Sequence, residues 1–154
     1  MDILEVMMID ELEKKIIRAL NQNARRSFRE IAKDVGTSAT AVINKVKKME
    51  SQGVIRGYIP LVSAEHFGLD LMAIIALRIS KGKLLETQQR ISQDRRVVAV
   101  YDVTGEWDSL VIGRFQGRDD LNDFIKSILS FPNVDRTVTH IVLNVMKEER
   151  RVLL

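Results

Sequence analysis

Few side chains of this sequence are suited to covalent or metal chemistry. The chain has no cysteine, which excludes disulfides, thiolate nucleophiles and cysteine-based zinc or iron–sulfur sites, and its imidazoles are limited to His66 and His140. Phosphate-binding glycine loops, nucleophile elbows and zinc-protease helix motifs are all missing from the sequence. We therefore expect no catalytic centre, no metal site and no cofactor.

Basic side chains gather in one part of the sequence. Residues 14–56 contain 11 lysines and arginines against 3 acidic residues, whereas residues 58–154 contain 13 of each, so the net charge of +3 conceals a strongly basic segment. Such an imbalance favours a polyanionic partner. The alternative explanation is an ordinary solvated helix surface.

Three short helices are predicted to carry these basic residues. Asp10 and Ser27 each lie three residues before a glutamate, which is the spacing of a capping box at a helix start. Gly36 is typical of a helix end, and Ser38 is a good N-cap for the next helix. The second and third helices have the proportions of a helix-turn-helix, whose second helix lies in the DNA major groove.

The predicted DNA-binding surface combines small residues for close approach, an amide for a base edge and cations for phosphates. Its members on the third helix are Ser38, Thr40, Ala41, Asn44, Lys45, Lys47 and Lys48, and at the entry to the second helix they are Arg25, Arg26 and Arg29. We expect double-stranded DNA to be the macromolecular partner.

The rest of the chain predicts a linking strand followed by a mixed module. The predicted strands are 54–62 (the link), 69–79, 97–103, 109–115 and 138–146, and the predicted helices are 83–93 and 119–130. After the link, the order β-α-β-β-α-β is typical of a ferredoxin-like module with both helices on one face of an antiparallel sheet. Several strands are apolar on both faces, so we expect the uncovered face to self-associate.

These elements predict an α+β protein. The expected domains are a helix-turn-helix DNA-binding domain at 1–53, a linker at 54–62 and a ferredoxin-like domain at 63–150. No run approaches the roughly 18 apolar residues of a membrane span, and the N-terminus carries Asp2 and Glu5 where a signal peptide would be basic. We expect a cytoplasmic protein with no membrane partner.

Several segments resemble the Lrp/AsnC, or feast/famine, family of transcriptional regulators. In the N-terminal half these are Gly36-Thr37-Ser38 and residues 42–58, which resemble the family's helix-turn-helix and linker. In the C-terminal half, residues 104–108 (Thr-Gly-Glu-Trp-Asp) resemble the family's Gly-x-x-Asp loop, and residues 131–139 resemble its closing segment. The resemblance extends from about residue 9 to residue 147.

The resemblance implies a winged-helix-like DNA-binding domain and a ligand-sensing (RAM) domain that binds an amino acid or a similar small metabolite. It also implies homodimers that form through the sheets and assemble into tetramers or octamers around the effector sites. Lys45 stands where the family often has arginine, a change that weakens bidentate pairing with guanine.

The loop at 104–108 carries groups that suit a zwitterion. Gly105 lets backbone N–H groups approach a carboxylate, and the acids of the loop can accept from an ammonium. The predicted effector site comprises Thr104, Gly105, Glu106, Trp107 and Asp108, with Arg118 after the next strand and with Thr137, Thr139 and His140, which correspond to the family segment that meets this loop between dimers. Without the resemblance, the simpler interpretation is an ordinary turn with solvated acids.

The sequence leaves two other functions open. The architecture is similar to that of siroheme decarboxylases, whose chemistry would need clustered histidine and arginine around a large apolar pocket, whereas the two histidines here lie far apart in sequence. An architectural protein that coats DNA without an effector would need no sensing loop.

Overall fold

The chain folds into two compact units. The computed structural model describes residues 8–80 and 82–154, so the first seven residues of the predicted 1–53 domain and Lys81 lie outside the described residues. The first unit consists of residues up to 61 together with 148–154, and the second consists of residues 62–147. The return of the last seven residues to the first unit is not part of the predicted division.

Three helices form within residues 8–61, and both predicted capping boxes are present. The helices are α1 (Glu11–Gln22), α2 (Phe28–Val35) and α3 (Ala39–Ser51). The Asp10 carboxylate accepts a hydrogen bond from Glu13 N at 2.8 Å, and Ser27 Oγ accepts one from Glu30 N at 3.2 Å. Gly36 ends α2 in the left-handed conformation with φ 74°, which lets α3 turn back across α2.

A shared apolar core joins the three helices. The predicted stripe of α3 is fully buried against α1 and α2, and the core side chains with at most 2% exposure are Ile16, Ile31, Val42, Val46 and Met49. Burial of these side chains, more than the intrinsic propensity of such short helices, stabilises the helix-turn-helix.

The predicted linking strand at 54–62 does not form. Val54 and Ile55 both donate their backbone N–H groups to Met49 O, at 2.9 and 3.1 Å, so this segment closes the end of α3 instead of joining a sheet. Tyr58 then donates its hydroxyl to Glu50 Oε1 at 3.0 Å. Burial, followed by this hydrogen bond to a carboxylate, raises the pKa of Tyr58 to about 12. The β-branched residues of this segment predicted a strand, but among the described residues no neighbouring strand pairs with it.

The segment around Arg151 supplies donors and acceptors to the end of α1. Arg151 Nη1 donates to Asn21 O at 3.2 Å, and Asn21 Nδ2 donates back to Val152 O at 3.0 Å. Arg18 Nε donates to Leu154 O at 3.0 Å. Because the last turn of α1 has no basic residue of its own, Arg151 provides the cation that its carbonyl end favours.

The second unit has the predicted βαββαβ order. A short 3-10 turn (Ala64–Phe67) precedes its first strand, and its elements are β1 (Leu71–Ile79), α4 (Leu84–Ser92), β2 (Val97–Asp102), β3 (Ser109–Phe115), α5 (Arg118–Leu129) and β4 (Val134–Ile141). All pairs are antiparallel and the strand order is β2-β3-β1-β4, which confirms the ferredoxin-like prediction.

One face of the sheet carries both helices. The side chains of Ile75, Leu77 and Val111 project to this face and are packed against Ile91 of α4 and Phe124 of α5. The strand register places other apolar side chains on the opposite face, which neither α4 nor α5 covers. These are Met72, Ile74, Ala76, Ala99, Tyr101, Leu110, Ile112 and Val138, and we call this surface the open face.

The last strand begins and ends earlier than the predicted 138–146. Its partner β1 sets both limits, because Ile79 pairs with Val134 and Met72 O accepts the last hydrogen bond, from Val142 N at 2.9 Å. The apolar residues that follow have no strand beside them. None of the described helices is long and apolar enough to cross a membrane.

Candidate nucleic-acid interface and ligand loop

The outward side of α3 is polar. Thr40, Asn44 and Lys47 are exposed there, on the side of the helix opposite its buried stripe. Arg25 and Arg29, at the start of α2, are exposed as well. Among the described residues, the side chains of Lys47, Arg25 and Arg29 have no acidic partner within 4.0 Å.

Lys45 and Lys48 are held by a carboxylate of α1. Lys45 Nζ lies 3.2 Å and Lys48 Nζ 3.1 Å from Glu13 Oε1, and Lys45 also pairs with Asp10. Only 5% of the Glu13 side chain is exposed. The sequence predicts Lys45 on the exposed face of the third helix, but only 27% of its side chain is exposed. A residue three positions after Val42 lies only about 60° from it around a helix, at the edge of the packed side.

This cluster of Asp10, Glu13, Lys45 and Lys48, the α1–α3 charge cluster, stays ionised. Burial raises the pKa of Glu13, but donors from Asp10 N, Lys48 and Lys45 outweigh it and leave the pKa below the usual glutamate value. The hydrogen bond from Lys45 lowers the pKa of Asp10, and the same bond, with that to Glu13, raises the pKa of Lys45. The cluster therefore fixes α3 against α1 with opposite charges.

Two further predicted residues have local roles. Arg26 pairs with Asp34 of α2, so its charge is partly neutralised within the same helical motif. Ser38 Oγ accepts from Ala41 N at 3.1 Å, which makes Ser38 the N-cap of α3. Ala41 itself has intermediate exposure, between the outward side and the charge cluster.

The loop between β2 and β3 is anchored to the end of β1. Asp108 N donates to Leu77 O at 3.0 Å, and Asp108 Oδ2 accepts from Ile79 N at 2.8 Å. The guanidinium of Arg78 donates to the Glu106 carbonyl, and its Nε lies 3.7 Å from Asp108 Oδ2. Gly105 adopts φ 116°, a conformation that favours glycine. The loop is thus anchored by both backbone and side-chain hydrogen bonds.

The side chains of Glu106 and Trp107, which belong to this loop, lie beside Arg136 of β4. Arg136 Nη1 lies 4.0 Å from Glu106 Oε1, with 66% and 72% of the two side chains exposed. The Arg136 guanidinium also lies 5.2 Å from the centroid of the Trp107 ring. Arg136 is the direct cross-strand neighbour of Arg78 on the open face. Both arginines are absent from the predicted site, because only the pairing of β1 with β4 brings them to the loop.

The structure brings together only some of the other predicted effector residues. Thr137 and Thr139 lie on β4 opposite Leu77 and Ile75, facing the helix side, and His140 lies on the open face. Thr104 is exposed in the loop. Arg118 begins α5 at the far end of β3, so within one protomer the seven residues of β3 separate it from the loop.

Comparison with known families identifies both units. The AsnC-type helix-turn-helix domain matches residues 9–50, and the Lrp/AsnC ligand-binding domain matches residues 72–152. The chain belongs to the Lrp/AsnC family. Its Lrp/AsnC fold and its helix-turn-helix confirm the resemblance seen in the sequence.

Individual Lrp/AsnC proteins match over nearly the whole chain. An uncharacterized HTH-type transcriptional regulator of Pyrococcus abyssi is 44% identical over 94% of this chain and 99% of its own length. The AsnC structure of E. coli has a TM-score of 0.87 at 27% identity, covering 92% of this chain and 97% of that one. A transcriptional regulator of Neisseria meningitidis in complex with L-methionine has a TM-score of 0.87 at 26% identity, covering 95% and 97%.

The Lrp/AsnC assignment establishes the general function. The protein is a transcriptional regulator with a DNA-binding helix-turn-helix and a ligand-binding domain. Relatives that match it, in Pyrococcus abyssi and Pyrococcus horikoshii, are named HTH-type transcriptional regulators.

Proposed function

We propose that this regulator binds DNA sequence-specifically as a homodimer and that an amino acid changes its DNA affinity or its assembly. The observation that carries the proposal is the β2–β3 loop, where a carboxylate and a guanidinium, those of Glu106 and Arg136, lie side by side and exposed. A free amino acid has the complementary pair of charges. The L-methionine complex of the Neisseria relative supports this ligand class.

DNA contact is proposed for the outward side of α3. Asn44 is suited to pair with a base edge, while Lys47, Arg25 and Arg29 are suited to phosphates. The lysines of α3 therefore have two roles: Lys47 faces outward, whereas Lys45 and Lys48 hold the helix against α1. The recognition helix is therefore supported by a charge cluster on one side and free on the other.

The open face of the sheet is the proposed dimer contact. Several of its apolar side chains, with Tyr101 at 53% exposure, are in contact with water in a single chain, and packing against a second copy would bury them. A two-fold dimer presents two recognition helices, which suits two half-sites about one helical turn apart on the DNA. Further assembly into tetramers or octamers would place effector sites between dimers.

Regulation then depends on the thermodynamic coupling between effector binding and DNA binding. An effector changes the DNA affinity only to the extent that it binds one assembly or conformation more tightly than another. We propose no enzymatic activity, and the relatives, which are regulators, support this. His66 lies in the 3-10 turn and His140 on β4, so neither is part of the ligand loop.

Selection from a pool of random DNA sequences, followed by anisotropy titrations with each of the twenty standard amino acids, tests the proposal. We expect an enriched sequence, and at least one amino acid that changes its affinity by about fivefold or more. Asn44→Ala should reduce the preference for that sequence over random DNA more than it reduces binding to random DNA. Failure to enrich any sequence contradicts specific DNA binding. Enrichment with no amino-acid response supports an effector-independent architectural protein.

A further inference from the structure

The ligand-binding unit has a cavity at the end of the sheet that lies opposite the β2–β3 loop. Its volume is about 750 Å³, which is within the range of small-molecule sites. Side chains from the 3-10 turn, from the start of β2 and from the end of β3 line it. The seven residues of β3 separate it from the β2–β3 loop, a distance of about 20 Å. The cavity is therefore separate from the loop.

Arg96 forms a fixed part of the cavity wall. Its guanidinium donates to Asp94 Oδ1 at 2.9 Å, to Asp94 Oδ2 at 2.6 Å and to Asp120 Oδ1 at 2.9 Å. The hydrogen bond from Arg96 lowers the pKa of Asp94, and the bond from Gln116 N lowers the pKa of Asp120. Both carboxylates are thus ionised and already bonded, and the guanidinium that joins them repels a second cation.

The backbone beside Arg96 is shaped by a β-bulge. The register of β2 with β3 shifts at Val98, which is the extra residue of the bulge and lines the cavity. Bulges redirect side chains and are frequent beside functional sites. A Cβ on Gly113 would lie 2.6 Å from the Phe115 ring and 3.3 Å from Arg96 O, so glycine permits the close approach of the strands here. Arg114 N donates to Arg96 O at 2.9 Å and joins the two segments at the cavity.

Arg95 supplies an exposed cation to the same cavity. Within residues 8–80 and 82–154, its side chain has no acidic partner within 4.0 Å. Uncovered apolar side chains also line the cavity, with Phe67 at 65% and Val98 at 42% exposure. A guanidinium and apolar surface in one cavity suit a ligand that has a carboxylate and an apolar body.

We propose that this cavity binds a small organic carboxylate that has an apolar body and no ammonium group. Arg95 binds the carboxylate, while Phe67 and Val98 contact the apolar body. An amino acid fits less well, because its ammonium would meet the Arg96 guanidinium instead of an unbonded carboxylate. The inference goes beyond the proposed amino-acid response and does not depend on it, since both the site and the ligand class are different.

Compounds that differ in one group test the proposal. The wild-type protein is titrated with 3-phenylpropanoate, its primary amide, L-phenylalanine and acetate. Binding is followed by the NMR signals of the Val98 and Gln116 backbone amides, which lie at the cavity and not at the β2–β3 loop. 3-Phenylpropanoate should bind about fivefold or more tightly than the others, because the amide lacks the charge, phenylalanine adds an ammonium and acetate lacks the apolar body.

The variants should lose these preferences one at a time. Arg95→Ala should bind 3-phenylpropanoate and its amide equally, at the affinity wild type has for the amide, and Arg95→Lys should keep part of the preference. Phe67→Ala should lose preference over acetate and keep that over the amide. Lys126→Ala removes an exposed cation of the same unit outside the cavity, and this matched control should keep both preferences. Trp107 fluorescence checks that each variant is folded, and Arg95→Gln replaces Arg95→Ala if that variant is not.

The possible results separate this inference from the proposed function. The carboxylate site is overturned if millimolar 3-phenylpropanoate leaves the two amide signals unchanged, or if a folded Arg95→Ala variant keeps the preference over the amide. It is also overturned if inorganic phosphate binds as tightly, or if Arg95→Ala changes only the salt dependence of DNA binding, which would assign this cation to DNA. Selective loss of the carboxylate preference in Arg95→Ala supports the site, whether or not an amino acid changes the DNA affinity.

Discussion

The α1–α3 charge cluster and the Glu106–Arg136 pair use the same kinds of side chain with opposite results. Glu13 is buried and receives hydrogen bonds from two lysines and from a helix N-cap amide. Glu106 is exposed, and its carboxylate has one arginine 4.0 Å away. The first arrangement fills the bonding capacity of the carboxylate, and the second leaves most of it unused.

The difference shows how burial assigns roles to similar charges. A buried, fully bonded carboxylate is costly to disturb, because removing it leaves its partners without compensation. An exposed pair is easily separated by water or by a ligand. The DNA-binding unit therefore uses opposite charges to position its recognition helix, whereas the ligand-binding unit leaves a pair available for binding.

Removing the buried carboxylate should have the largest effect. Glu13→Ala should lower the stability of the first unit by about 2 to 3 kcal/mol, because it removes the capping interaction and leaves Lys45 and Lys48 without their shared acceptor. Hydrogen exchange of α1 and α3 amides measures this, and Glu106→Ala, assayed through Trp107 fluorescence, is the comparison. Equal losses of stability in the two variants would contradict the distinction between the buried α1–α3 charge cluster and the exposed Glu106–Arg136 pair.

Replacing Asp108, the acid that anchors the β2–β3 loop, should cause the second largest loss of stability. Asp108→Ala should lower the stability of the second unit by about 1 to 2 kcal/mol, since Ile79 N loses its acceptor at a buried position. Asp108→Asn keeps an acceptor oxygen and should lose less. Chemical unfolding followed by Trp107 fluorescence measures both. Normal stability with a lost amino-acid response would instead assign Asp108 a direct ligand contact.

Low pH should weaken the α1–α3 charge cluster. The pKa values of Glu13 and Asp10 are lowered in the folded protein, so their contribution is present above the unfolded-state values and is lost as the pH falls through the folded-state values. We expect the protection of α1 and α3 amides to fall between about pH 5 and pH 2. Glu13→Gln should flatten this dependence, and an unchanged pH profile in that variant would show that other carboxylates cause it.

The smallest expected effect is a difference between Lys47 and Lys45 of α3 in how their substitution changes the salt dependence of DNA binding. Lys47→Ala should reduce the slope of log affinity for DNA against log salt by about 0.9, as expected for one lost phosphate contact. Lys45→Ala should change the slope less, because Lys45 is already paired with Asp10 and Glu13. Affinities measured from low to moderate salt decide this, and a larger change for Lys45 would mean that it leaves the cluster to contact DNA.

Features that depend on residues close together in the sequence were predictable from it. The Asp10 and Ser27 capping boxes involve residues three positions apart, and the glycine and N-cap before α3 are equally local. The order of the helices and strands also follows from local periodicity. These signals establish the helix-turn-helix and the ferredoxin-like module without knowledge of distant contacts.

Features that depend on distant residues were not predictable in the same way. Lys45 meets a carboxylate 32 residues away, so its exposure could not be read from the third helix alone. Arg78 reaches the Glu106 carbonyl 28 residues away, and Arg136 becomes its neighbour only through the register of β1 with β4. The strand expected at 54–62 failed for the same reason, because strand formation needs a partner that composition does not specify.

The bond from Arg151 to Asn21 has a consequence for how the protein is made. A ribosome synthesises α1 before the second unit and Arg151 after it, so the newly made DNA-binding helices exist for a time without this donor at the end of α1. Domains near the N-terminus generally fold first during synthesis. The DNA-binding unit therefore gains its last side-chain contacts after translation of the ligand-binding unit, and a truncated nascent chain would lack them.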